Sequence, residues 1–228
     1  MPTALTTAAD LARAAAHVAA ADPAMAAFVE RAGPCQMREP LEGAFAALVR
    51  SVAYQQLAGN AAAAIHGRFV TAIGGRVTPE AVLAAPEAVI RAAGMSGGKT
   101  ATLRDLAARV VDGSVPLHDV DQLDDAEISA RLVTVRGIGR WTAEMFLLFQ
   151  LRRPDVWPTG DLGVRAGHRL IYGLPEMLDA KALEPEGERF RPYRSVAAWY
   201  CWEAVHIARA EAKAAAAPTR RAARAGAA

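Results

Sequence analysis

Two cysteines in 228 residues, Cys35 and Cys201, are too few and too far apart to supply a four-cysteine zinc or iron–sulfur site. They read as buried, reduced thiols of a cytosolic protein. No apolar run is long enough to span a bilayer, and the first residues lack the order of a signal peptide. A cytoplasmic protein is therefore expected. Alternating apolar and polar residues are missing as well, so no strand can be placed, and no repeat is evident. What the chain has instead is alanine, which inflates a 53% hydrophobic content and favours helix. The length allows a sizeable core, as one domain or two small lobes.

Charges of the two signs nearly cancel overall but are unevenly spread. The formal net charge is +2, yet residues 131–170 and 207–228 each carry +4, leaving −6 for the rest. Positive charge concentrated in two stretches is what phosphate-facing surfaces show, although a solvated helix face would look the same. The last stretch, from 213, reads as a basic, disordered tail after a helical domain of residues 1–212.

In chain order, residues 5–20 and 23–32 are helical, separated around Asp22-Pro23. A helix pair follows from about Leu41 to Val70, broken near Ala58-Gly59-Asn60, with Phe45, Leu48, Val49 and Val52 on a core stripe. Thr78-Pro79-Glu80 and Ala85-Pro86-Glu87 each open a short helix, and Thr100 to Val111 forms another. Asp124-Asp125 with Glu127 starts a further helix. Leu162 to Ile171 should be helical, and Pro175 to Pro192 irregular. A last apolar helix follows, with Ser195 as a plausible N-cap.

The most informative stretch runs from Leu132 to Gly167. A helix end carrying Ile128, Leu132 and Val135 meets Gly137-Ile138-Gly139, then a second helix from about Arg140 to Gln150. Trp141, Met145, Leu148 and Phe149 share a face of that second helix. This is a helix-hairpin-helix, placed at about 128–150, whose glycines permit a sharp turn and present bare N–H groups suited to a phosphate oxygen. Twenty residues past Trp141, Asp161 follows Pro158-Thr159-Gly160 where a new helix should start.

VRGIGRWTAEMFLLF followed by WPTGDLGVRAG resembles the helix-hairpin-helix (HhH-GPD) DNA glycosylases, and most of all their alkylated-base branch, the 3-methyladenine DNA glycosylase II type in compact form. The resemblance covers roughly residues 41–205. It implies an all-α, two-lobed fold with the active-site cleft between lobes, and a monomer, nucleoid-associated in a bacterial cytoplasm, that acts on double-stranded DNA containing alkylated bases. It also implies monofunctional excision of bases such as 3-methyladenine and 7-methylguanine. Asp161 would be the catalytic carboxylate, stabilising positive charge on the sugar, assisting the attacking water, or both. Relatives that also cut the strand carry a lysine where this chain has Trp141, so no Schiff base is expected here. Trp141 would instead stack on a cationic base, with Met145, Trp202 and Tyr54 bordering the pocket, though simple packing would equally use these residues.

For DNA, the resemblance points to Gln55 and Gln56 at the gap left by the extruded base, with Gln56 aligned with the wedge. Helix capping is the alternative. It also points to Gly98 and Lys99, in a segment that could equally be a plain turn, and to Arg136, Gly137, Gly139, Arg140 and Thr142 at the hairpin. No cofactor is required and no iron–sulfur cluster is expected. A structural Na+ or K+ is implied at the backbone carbonyls of Val133, Val135 and Ile138. Arg136 stands where the family often has proline, exchanging a rigid residue for a cation near phosphate. Two other readings stay open: a lesion-binding module without catalysis, and a glycosylase for another damaged base.

Overall fold

A computed structural model describes residues 4–57 and 59–225. In chain order the helices are α1 (Ala8–Ala21), α2 (Pro23–Ala32), α3 (Ala44–Tyr54), α4 (Gly59–Ala72), α5 (Pro79–Ala84) and α6 (Glu87–Ala92). Then come α7 (Gly97–Val111), α8 (Asp125–Leu132), α9 (Arg140–Met145), α10 (Leu162–Tyr172), α11 (Ala180–Leu183) and α12 (Arg194–Ala225). No strand occurs among the described residues, so the fold is all-α. The chain divides into two compact units, one of Met1–Arg38 with Arg152–Ala228, the other of Glu39–Leu151.

Local chemistry sets most helix starts. Thr7 and Asp10 form a reciprocal capping box on α1, and Asp22 accepts the Met25 N–H at 2.9 Å to cap α2, with Pro23 at the first helical position. Thr78, Ser96 and Asp124 cap α5, α7 and α8 in the same way.

In the first unit α12 is the central element. Val196, Ala197, Ala198, Tyr200 and Cys201 are buried, and α12 packs against α1, α2 and α10. The crossing with α10 depends on Gly167: a Cβ there would lie 1.8 Å from the Cys201 carbonyl oxygen. Burial pushes the thiols of Cys201 and Cys35 upward, Cys35 to about 11.

The second unit has the expected α3 stripe at its centre: Phe45, Leu48, Val49 and Val52 are all buried. Leu103, Leu106 and Ala107 of α7 and Ile128 and Leu132 of α8 are among the residues that join it in the core.

Several expectations change. Pro175 to Pro192 is not irregular throughout: it holds α11 and a 3-10 turn at Pro185–Phe190. The cause is tertiary, because Leu183 and Phe190 are buried and the Trp157 indole N–H donates to the Leu183 carbonyl at 3.0 Å. Ser195 does not cap α12, which begins at Arg194. Its fully buried hydroxyl donates to the Arg153 carbonyl at 2.6 Å and accepts the Val156 N–H at 2.9 Å. The stretch from 213, expected as a disordered tail, continues α12 to Ala225, as its alanine content favours. Residues 226–228 lie outside those described.

Gly167→Ala should cost about 3 kcal/mol, because the clash is with backbone rather than a movable side chain. Urea unfolding would check this, and an unchanged midpoint would refute the close crossing.

Candidate active site and nucleic-acid interface

In the second unit the hairpin forms as its glycines require. α8 ends at Leu132, and the Ile138 N–H closes a turn on the Val135 carbonyl at 3.1 Å. Gly137 takes φ +78°, a conformation rarely open to L side chains. Gly139 precedes α9 in extended conformation and brings no side-chain cap to the first-turn N–H groups.

The second hairpin helix differs from its expected amphipathic face. α9 ends at Met145 and passes into a π-helical turn at Phe146–Gln150. The core side is Ala143, Phe146, Leu147 and Leu148, whereas Trp141 and Phe149 are 46% and 42% exposed and Met145 is half-buried. Trp141 and Phe149 therefore lie off the core, at a spacing of two turns.

Trp141 has a destination. An open concavity of about 460 Å³ is lined by Ser51, Tyr54, Gln55, Gln56, Gly137, Gly139, Trp141 and Thr142, gathering seven residues singled out from sequence. Met145 is not among its lining residues. The Gln55 amide donates to the Gly137 carbonyl at 3.2 Å and reaches the Thr142 hydroxyl at 3.5 Å, joining the end of α3 to the hairpin. Gln56 is forced to φ +58°, a costly value for a non-glycine residue that marks an over-determined turn.

Leu57, next in the chain, is 40% exposed. Sequence reasoning passed it over, though a signal existed: the α3 stripe of 45, 48, 49 and 52 would continue at 55–56, leaving Leu57 outside it.

Gly98 and Lys99 lie in the first turn of α7, with Ser96 accepting the Lys99 N–H at 3.3 Å. The Lys99 ammonium donates to the Ala53 carbonyl at 2.8 Å, so the cation is engaged with the end of α3. Partial burial lowers its pKa from the ordinary lysine value. Arg140 pairs with Glu144 at 2.7 Å along α9, while the Arg136 side chain is exposed. Val135, one of the three residues expected to offer a carbonyl to a cation, uses its oxygen for the Ile138 N–H and retains a second lone pair. Carbonyl oxygens of this kind suit a hard monovalent ion.

In the first unit Asp161 is where the sequence placed it, at the N-cap of α10. A turn closed by the Asp161 N–H on the Pro158 carbonyl, at 2.9 Å, delivers it there. Its Oδ1 accepts the Val164 N–H at 2.9 Å and the Trp202 indole N–H at 2.8 Å. Gly163 makes room for that indole, since a Cβ would lie 2.6 Å from it. Trp202, expected at the base pocket, thus directs its polar edge to the carboxylate. Trp199, one turn earlier, packs edge-on against Tyr200.

A glycine hairpin between two helices and a helix-capping aspartate shortly after it define a helix-hairpin-helix repair protein, and comparison agrees. The family model described as HhH-GPD superfamily base excision DNA repair protein matches residues 49–192, and the chain belongs to that superfamily. It is 36% identical over 176 residues to DNA-3-methyladenine glycosylase 1 of Schizosaccharomyces pombe, covering 76% of this chain and 75% of that protein. The S. pombe 3-methyladenine DNA glycosylase solved in complex with abasic DNA superposes with a TM-score of 0.76 at 34% identity, over 84% of this chain and 95% of that one. A DNA-3-methyladenine glycosidase from Bacillus halodurans gives 0.79 at 32% identity, over 90% and 92%.

Lys99→Met, which keeps the stem but removes the ammonium donor, should cost about 1–2 kcal/mol in urea unfolding. Wild-type stability in this variant would exclude the bond to Ala53.

Proposed function

We propose that the protein is a monofunctional DNA glycosylase that flips alkylated bases, such as 3-methyladenine and 7-methylguanine, out of double-stranded DNA. It hydrolyses their N-glycosidic bonds in base excision repair. The observation that carries this reading is the Asp161 carboxylate, held at the start of α10 by the Val164 N–H and the Trp202 indole. The named activities of the relatives support it.

As the base departs, positive charge develops on the deoxyribose, and a fixed anion lowers the energy of that state. The helix N-terminus and the indole donor favour the ionised carboxylate and fix its direction. The same anion can orient the attacking water. Position 141 offers no amine, so the sugar forms no Schiff base and an abasic site remains. The half-exposed Trp141 ring beside Tyr54 offers a flat, electron-rich surface for a cationic purine. Cationic purines are already good leaving groups, so loose stacking with modest catalysis suffices.

The hairpin N–H groups around Gly137 and Gly139, with Arg136 and Arg140, grip backbone phosphates irrespective of sequence. A Na+ or K+ on the Val133, Val135 and Ile138 carbonyls would add a positive charge to this grip. The wedge falls to Leu57 rather than Gln56, because an exposed apolar side chain on a strained turn is better suited to enter a base stack. The protein acts as a monomer in the cytoplasm.

The test is base release from duplex DNA treated with a methylating agent, with strand breaks scored before and after alkali. Wild type should release base and give breaks only after alkali, and Asp161→Asn should lose at least ~100-fold in single-turnover rate. Undiminished release by the variant would remove Asp161 from the chemistry, and binding without release by wild type would make the protein a lesion-binding module. Trp202→Phe, which keeps the ring but not the donor, should slow release about tenfold. An unchanged single-turnover rate would show that the indole bond is structural only.

A further inference from the structure

We propose that Asp105 is a positioning residue for the hairpin, its carboxylate holding the Arg136 amide and thereby fixing the turn that grips DNA. This rests on the reading that the hairpin carries DNA. The turn from Val135 to Ile138 is closed by an i to i+3 hydrogen bond with Gly137 third and at positive φ. That is the pattern of a type II turn, whose second position suits proline. Proline there would bring a fixed φ and no N–H. Arg136 brings an N–H that the turn itself does not use, together with a freer backbone. Asp105 Oδ2 accepts that N–H at 2.7 Å.

Asp105 does not act alone. Thr102, Asp105 and Arg109 recur every three to four residues along α7, and so form one face. Thr102 packs beneath Gly137, where a Cβ would lie 2.3 Å from its hydroxyl oxygen. Arg109 pairs with Asp105 Oδ1 at 3.1 Å and reaches the Thr134 hydroxyl at 3.4 Å. Thr134 in turn donates to the Arg131 carbonyl at 2.7 Å. The stripe therefore holds the hairpin at Thr134, Arg136 and Gly137.

A carboxylate near a phosphate-binding turn would ordinarily repel its ligand. Here one oxygen is matched by Arg109 and the other is committed to the amide, so the charge is balanced within the scaffold. The chain keeps an exposed cation at position 136 while recovering, through Asp105, the rigidity that proline would have supplied.

The test is a double-mutant cycle of Asp105→Ala and Arg136→Pro, with Asp105→Asn as the shape-conserving variant. Affinity is measured for a duplex bearing a tetrahydrofuran abasic-site analogue, and Arg136 amide exchange is followed by NMR. Asp105→Ala should weaken binding about five- to tenfold and speed Arg136 exchange about tenfold or more. In the Arg136→Pro background, which has no N–H to hold, the same substitution should change affinity by less than about twofold. Asp105→Asn, with one remaining acceptor oxygen, should fall between. Equal losses in both backgrounds, or unchanged Arg136 exchange in Asp105→Ala, would overturn the proposal. Base release by the same wild-type preparation separates the two readings. If wild type releases nothing while Arg136 exchange still responds to Asp105→Ala, the glycosylase reading falls and the brace stands.

Discussion

In the proposed mechanism a carboxylate works best when already oriented, and two donors hold one oxygen of Asp161. One is a backbone N–H of the helix it caps, the other an indole from α12. Much of the first unit follows from this constraint. Gly163 leaves space for the indole, and Gly167 lets α10 lie against the α12 backbone. The Pro158-Thr159-Gly160 turn delivers the aspartate to the helix start. A helix cap, an ordinary stabilising device, thereby becomes a preorganised anion whose orientation cost is met on folding.

The second unit solves a different problem, that of holding a flexible glycine turn without stiff residues. It uses side chains from neighbouring helices. Gln55 reaches the Gly137 carbonyl from the end of α3, while Thr102, Asp105 and Arg109 approach from α7. Lys99 closes the set by tying the start of α7 to the end of α3. Among the residues around the concavity, Gln55 thus ties the end of α3 to the hairpin, one residue before the left-handed Gln56.

What could be read from sequence was what local chemistry decides. Pro79, Pro86, Asp124 and Asp161 mark helix starts because capping and proline effects act within one turn. The α3 stripe is buried as its periodicity indicated. Illegible features were those set by distant partners. Ser195 looked like a cap but is committed to Arg153 and Val156. The 175–192 stretch looked irregular because its ordering partner, Trp157, lies well before it. The face shared by Trp141, Met145, Leu148 and Phe149 splits between core and surface, because periodicity cannot tell a buried face from an apolar one left open, nor foresee the π-helical turn. Lys99 offered a cation to any acceptor, and only folding showed that Ala53 takes it.

The two cysteines acquire a meaning beyond the fold. A repair protein that acts on methylated DNA works among the electrophiles that methylate it, and thiolates are the protein groups such reagents attack first. Cys201 lies fully enclosed, near the Asp161 charge, and Cys35 is almost as well covered. Both are held in the protonated form at physiological pH by burial. Neither cysteine therefore offers such reagents a ready thiolate.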